Sequence, residues 1–143
     1  MDLERFIKAQ ELYYQIAYKE LEEGYKQSHW MWFIFPQIIG LGYSEISDFY
    51  AIKSIEEAKE YVKHPILGKN LKEISKLLLR CTISANPSKV FGYPDDLKLC
   101  SSMTLFYEVS KELVFKQVLD KFFGGEEDKL TLDILEEMKE KSE

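Results

Sequence analysis

Two stretches of the chain concentrate side chains able to do chemistry. Tyr25 to Gln37 holds Tyr25, Lys26, Ser28, His29, Trp30, Trp32 and Gln37 around a proline. Tryptophan faces stack on a base or ring and His29 or Gln37 can hydrogen-bond its edge, so the stretch reads as one wall of a ligand pocket. Aromatic-rich segments also serve as packing, and two Trp in a small domain can both anchor its interior, so both readings stay open. The second stretch is Asp95-Asp96-Leu97-Lys98-Leu99-Cys100-Ser101-Ser102-Met103-Thr104-Leu105-Phe106. On a helix, Asp95, Lys98 and Ser102 fall at i, i+3 and i+7 with Ser101 beside them, while Leu99, Met103 and Phe106 share another face. One carboxylate, one ammonium and two hydroxyls then form a single stripe. It is either functional or a solvated face with an Asp-Lys pair worth a few tenths of a kcal/mol. Two adjacent serines are poor helix formers, which points to a role beyond propensity. His64-Pro65-Ile66-Leu67-Gly68-Lys69 offers a helix N-terminus to an anion, with Lys69 adding charge, or is a plain interhelical turn.

Other chemistries lack their residues. His29, His64, Cys81 and Cys100 are the soft metal ligands, and no two have the spacing of a zinc ribbon or a helical His pair. A Cys-His nucleophile pair is unsupported for the same reason. The Gly-x-Gly-x-x-Gly turn, the phosphate loop ending in Gly-Lys-Ser/Thr and the Gly-x-Ser-x-Gly elbow are all absent from the sequence. No metal and no cofactor is expected.

The elements that must position these groups are helical. Leu3, Phe6, Ile7, Leu12, Tyr13, Ile16, Ala17 and Leu21 follow helical spacing, with Asp2 placed to cap the start and Gly24 to end the helix. Ser28 to Phe35 is apolar on every side after its first two residues, and a short helix capped by Ser28 is expected, with a strand as the alternative. Pro36, Gly40 and Gly42 punctuate a loop, and Ser44 caps the next segment. Ser54-Ile55-Glu56-Glu57 has the hydroxyl-x-x-acid pattern of a capping box, and that helix should stop at His64, before a proline. Pro65 suits the first turn of a further helix lined by Leu67, Leu71, Ile74, Leu77 and Leu78, in which Gly68 marks close packing. A loop is expected between Asn86-Pro87-Ser88 and Gly92-Tyr93-Pro94. Helices then follow from Asp95 to about Tyr107, from Glu112 to Phe123 and from Leu130 to Lys139. The expectation is one mainly α-helical domain over 1–143, of about seven helices, with a charged end frayed from about 136 to 143.

Charge and composition set the class. The chain has 143 residues, 45% hydrophobic and 31% charged, with 19 Lys+Arg against 25 Asp+Glu and a formal net charge of −6. That suffices for one packed core. The excess of acid opposes the phosphate attraction on which duplex nucleic-acid binding rests. The longest apolar run, Trp30 to Phe35, falls far short of the roughly 20 residues that cross a bilayer. The opening Met1-Asp2-Leu3-Glu4-Arg5 is acidic where a secretory signal would be basic, so a cytoplasmic protein with Cys81 and Cys100 as thiols is expected. No duplex nucleic acid and no membrane is expected as a partner, and the chain is expected to be a monomer or small homo-oligomer.

Several motifs together resemble a family signature. Ser28-His29-Trp30-Met31-Trp32-Phe33-Ile34-Phe35-Pro36-Gln37, Gly40-Leu41-Gly42-x-Ser44, Tyr50-Ala51-Ile52, His64-Pro65-x-Leu67-Gly68, Phe91-Gly92 and Lys98-Leu99-x-Ser101-Ser102-Met103-Thr104-Leu105-Phe106 resemble the domain-of-unknown-function 1810 family. The likeness continues through Phe122-Phe123-Gly124-Gly125 and Asp128-x-x-Thr131-Leu132. It implies a small intracellular helical domain and no established reaction. In order and texture the chain also resembles, more remotely, the NADAR superfamily of YbiA-like proteins, linked to ADP-ribose metabolism and N-glycosidic bond cleavage. Ser44-Glu45 leading to Phe49-Tyr50-Ala51-Ile52-Lys53 carries that likeness, with Ile46-Ser47 standing where that family has His-Tyr.

The second resemblance implies a hydrolysis in which a carboxylate stabilises an oxocarbenium-like ribose centre or activates water. Glu45 and Asp95 are the candidate catalytic carboxylates. His29, Trp30, Trp32, Gln37, Tyr50, Lys69, Lys98, Ser101, Ser102 and Thr104 are the candidate ligand-binding residues. The expected function is a nucleotide-like or ADP-ribose-like ligand pocket, with N-glycosidic hydrolysis as its chemistry; the alternative is a noncatalytic interaction or regulatory domain. The first requires Lys98, Ser101, Ser102 and Gln37 to converge on one concave pocket beside aromatic rings, the second their dispersal.

Overall fold

The apolar stripe at the start of the chain becomes α1, Glu4–Glu22, which buries Phe6, Ala9, Tyr14, Ala17 and Leu21. In the computed structural model, which describes residues 2–142, α2 (Met31–Ile34), α3 (Glu45–Tyr50), α4 (Ile55–Lys63), α5 (Leu67–Leu78) and α6 (Pro87–Phe91) follow, then α7 (Asp95–Ser110), α8 (Leu113–Phe123) and α9 (Lys129–Lys141). The described residues therefore form nine helices rather than about seven. One addition is α6, a single turn capped by Asn86 with Pro87 in its first turn, where a loop was expected. The charged end is helical as far as Lys141, and Glu143 lies outside the described residues. None of the described helices is long and apolar enough to cross a membrane. Cys81 and Cys100 are both free thiols.

Side-chain caps start four of the nine described helices, α3, α4, α6 and α9. Ser44 Oγ accepts from the Ser47 backbone N–H while Ser44 N–H donates to Ser47 Oγ, Ser54 accepts from Glu57 N–H, and Asp128 from Thr131 N–H. Two expected caps are absent. Asp2 makes no side-chain cap to α1, and Ser28 does not cap α2, whose N-cap is Trp30, because its hydroxyl is drawn to the buried Glu20. Gly24, with φ +107°, ends α1 as expected, its N–H bonding Leu21 O. At Gly68 a Cβ would lie 1.9 Å from the carbonyl oxygen of Val62, so α4 and α5 pack there backbone against side-chain-free backbone.

The helix α7 is the middle of the molecule, packed on α4, α6, α8 and α9. Ser101 through Phe106 are all buried, so no solvated stripe exists. Ser101 Oγ bonds Leu97 O and Asp128 Oδ2, while Thr104 Oγ1 donates to Cys100 O and accepts from Asp128 N–H. Those hydroxyls join α7 to the start of α9. The Cys100 thiol on the same helix is pushed up to about 11 by burial and then by Asp128.

One buried ion pair ties the N-terminal half together. Arg5 Nη2 lies 3.0 Å from Glu57 Oε1, with both side chains about 5% exposed. Arg5 also donates from Nε to Phe49 O at 2.7 Å and from Nη2 to Ala51 O at 2.8 Å, and Glu57 accepts from Lys53 N–H at 2.9 Å.

Glu127 is a second charged group that packing disturbs. Its Oε2 is buried without a hydrogen-bond partner. Burial first, then the neighbouring Glu108 carboxylate, push Glu127 up from its ordinary 4.5 to about 7, against the pull of Lys111 and Lys116.

Two outcomes follow from these groups. Replacing Glu57 by Ala strands the Arg5 guanidinium and should cost about 3–5 kcal/mol in urea unfolding, whereas a loss under about 1 kcal/mol would show the pair to be dispensable. For Glu127 the folded form keeps its proton where the unfolded chain has lost it. Stability should therefore fall as pH rises from about 4.5 to about 7 and level off above. With solvent screening allowed for, the change is about 1 kcal/mol. Glu127→Gln should flatten that part of the stability curve, and an unchanged slope would remove the assignment.

Candidate functional site

A narrow cleft opens beside α2, lined by Trp32 and Gln37 on one wall and by Ser47, Asp48 and Tyr50 on the other, with Gly40 and Gly42 at its lip. It is tight: the centre of a water-sized sphere has only about 20 Å³ to move in, so a ring bound here rests across the mouth rather than inside.

The short helix α2 is positioned from below by Trp30. That indole is fully buried, stands 6.4 Å from the Phe91 ring and 6.3 Å from Phe35, and donates from Nε1 to Glu20 Oε1 at 2.9 Å. Glu20 is itself buried. Burial opposes its charge, but the Ser28 hydroxyl, the Gln27 and Ser28 N–H groups and the Trp30 indole all donate to it and hold its carboxyl below the ordinary value. With Trp30 anchored, the single turn of α2 buries Met31, Phe33 and Ile34 and leaves Trp32 facing outward.

The opposite wall is a loop closed on itself. Ile38 and Ile52 form an isolated parallel bridge, with Ile39 N–H on Ile52 O at 2.9 Å and Ile52 N–H on Gln37 O at 2.8 Å. Arg5 holds the carbonyls of Phe49 and Ala51 from beneath. Tyr50 is fixed by its ring, 5.1 Å from Phe33 and 6.0 Å from Phe6. Among the described residues the Gln37 carboxamide and the Asp48 carboxylate have no hydrogen-bond or ion-pair partner in the protein.

Charge stands at one side of the cleft. Lys98 Nζ lies over the Trp32 ring, 5.2 Å from its centroid. Asp95 bridges two lysines, with Oδ1 3.3 Å from Lys98 and Oδ2 2.8 Å from Lys26. Lys26 in turn donates to Ser28 O and lies over the Trp30 ring.

The structure thus brings Trp32, Gln37 and Tyr50 to one cleft with Lys98 and Asp95 beside it. It places Trp30 in the core and His29 exposed on the preceding loop. Glu45 is exposed in the first turn of α3 and does not line the cleft; Lys69 is exposed on α5. Ser101 and Thr104 are spent at the α7–α9 junction, and Ser102 is fully buried with its Oγ unpartnered, so the expected convergence of Lys98, Ser101, Ser102 and Gln37 on one pocket does not occur. Two groups escaped the sequence reading. Asp48 follows Glu45 by three residues on a helix whose cap was foreseen; both acids are exposed, and only the fold shows that Asp48 is the one bordering the cleft. The Lys26–Asp95 pair spans the chain and has no local signal. No group of three or more His, Cys, Asp or Glu able to hold a metal occurs among the described residues.

Comparison with known proteins agrees over nearly the whole length. A family model described as "Protein of unknown function (DUF1810)" matches residues 1–135. The crystal structure of the conserved hypothetical protein Rv1873 from Mycobacterium tuberculosis is similar, with a TM-score of 0.91 and 44% sequence identity over 94% of this chain and 96% of that one. No match is found among curated proteins.

The two tryptophans should separate cleanly by mutation. Trp30→Ala removes a buried indole and a donor to Glu20, and should cost about 3–5 kcal/mol in urea unfolding. Trp32→Ala should cost roughly 1 kcal/mol. Equal losses would show that Trp32 is structural.

Proposed function

The chain belongs to the DUF1810 family, and we propose that it binds a planar ring carried on a ribose-like group in the Trp32 cleft and hydrolyses the N-glycosidic bond between them. The observation that carries this reading is the pairing of an outward-facing indole with a carboxamide and a carboxylate that have no protein partner, all lining one cleft. Unengaged polar groups beside an aromatic face are what a base-bearing ligand needs: the ring stacks on Trp32, and Gln37 bonds its edge as both donor and acceptor. The remote likeness to the NADAR superfamily supports the same ligand class.

Asp48 is the carboxylate suited to the chemistry. It activates water for attack at the anomeric carbon or stabilises the oxocarbenium-like centre, the ribose–nitrogen bond breaks, and the departing base takes a proton. Asp95, both of whose oxygens are engaged by lysines, acts as a positioning group that keeps Lys98 against the Trp32 ring. Glu45, exposed on α3 and outside the cleft lining, serves as the comparison carboxylate. The exposed Tyr43, Ile46 and Phe49 around α3 favour the second reading, a noncatalytic domain that docks a protein on this rim.

A thermal-shift panel with ADP-ribose, NAD, nucleosides and mononucleotides tests the proposal. Binding at one hundred times Kd adds about 2.7 kcal/mol, enough to raise Tm by several degrees. Trp32→Ala should weaken the stabilising ligand about tenfold or more, since one base stack is worth roughly 1–3 kcal/mol. Asp48→Asn should keep binding and lose turnover, while Glu45→Gln should keep both. A panel without any shift, or a ligand bound equally by the Trp32 variant, would sink the reading.

A further inference from the structure

A second concave surface lies at the far end of α7. Lys59 and Lys63 from α4 and Lys72 from α5 line an open groove bordered by Ser110 and Glu112 at the α7–α8 junction, with a volume of about 400 Å³. Its floor includes Val62, which is 7% exposed, and the half-buried Val109. Lys98 and Val109 are eleven residues apart on α7, so the groove is about 16 Å along the helix axis from the Trp32 cleft. The two are separate places.

The charge here runs against that of the molecule. Three lysines and one glutamate line the groove in a chain whose formal net charge is −6. Lys72 is paired, its Nζ 3.1 Å from Glu112 Oε2. Lys59 and Lys63 have no carboxylate within ion-pair distance among the described residues, although Glu56 and Glu60 are near them in sequence. They sit at i and i+4, an arrangement of like charges that costs a few tenths of a kcal/mol in an isolated helix. Lys63 in the last turn of α4 also meets the negative end of the helix dipole, which explains that residue alone. Lys59, a turn earlier, and Lys72, from another helix, converge on the same space without that explanation. Apolar side chains beneath the cations reduce the water that would screen an anion bound there. Ser110 Oγ is already occupied, donating to Phe106 O and accepting from Glu112 N–H, so the lysines are the recognition groups.

We propose that this groove binds a small free anion of the phosphoryl class carrying two or more negative charges, held by Lys59 and Lys63 with Lys72 as the third contact. Concavity and an acidic surround suit a compact ligand over a polyanion or a charged sheet. The proposal does not rest on the Trp32 cleft.

The test is titration of the full chain with inorganic pyrophosphate at fixed ionic strength, followed by amide NMR. Saturable shifts are expected at residues 59–63, 72 and 109–112, leaving Trp32 and Gln37 unmoved. Lys59→Gln/Lys63→Gln should weaken binding at least tenfold, and Lys139→Gln, an exposed position on α9, should not. Each single lysine variant serves should the double variant not fold, with a smaller loss expected. Shifts that do not saturate, that centre on the Trp32 cleft, or that persist in the lysine variants would overturn the proposal. So would binding confined to vesicles containing phosphatidic acid with none to free pyrophosphate.

Discussion

The Arg5 guanidinium is the contact on which the candidate site depends. It reaches from the first turn of α1 to the carbonyls of Phe49 and Ala51 and to the Glu57 carboxylate, so three separate parts of the chain share one charge. Buried ion pairs contribute little net stability against an apolar alternative, because desolvation offsets most of the attraction. Their value is directional. The strands of chain entering and leaving the 37–52 loop are held by the Ile38–Ile52 bridge, and Arg5 fixes the returning half by its carbonyls. A loop so held presents Asp48 and Tyr50 to Trp32 with little remaining freedom, which is the condition a binding site needs from its support.

A second buried charge does the equivalent task on the other wall. Glu20, three turns of helix beyond Gln10, collects four donors from Gln27, Ser28 and Trp30. Those bonds close the turn after α1 and aim the backbone into α2. Trp30 goes inward to the carboxylate, and Trp32, two residues later on a tight turn, is left facing out. The same acid therefore explains why one tryptophan is core and its near neighbour is not, a distinction that residue type and spacing cannot make. It also explains why Ser28, a good cap by residue type, caps nothing.

The helices were legible wherever one face is wet. The stripe of α1, the caps of α3 and α4, the stop at His64 and the tight contact at Gly68 all follow from local rules, because local rules describe chains with one apolar side. The central helix α7 has no wet side over Ser101 to Phe106, and its polar residues are there to fit and to bond. Small hydroxyls can satisfy themselves on carbonyls one turn back, as Ser101 and Thr104 do, and so enter a core without a ligand. Reading Ser101 as a ligand group overlooked that its partner, Asp128, caps a helix far along the chain. The short α6 was missed because a five-residue turn carries almost no periodicity.

What chemistry the cleft can perform turns on which carboxylate is free. An acid that is to move a proton or face a developing positive charge must have an oxygen directed at the reactant. Asp95 has Oδ1 on Lys98 and Oδ2 on Lys26, so both of its oxygens are engaged within the protein. Glu45 is exposed, as Asp48 is, but does not line the cleft. Asp48 alone of the three both lines the cleft and keeps its carboxylate without a protein partner among the described residues. Its backbone carbonyl is in addition the acceptor for the Lys53 ammonium, which ties the end of α3 to the segment leading into α4. The acid is therefore held by its main chain while its side chain stays available.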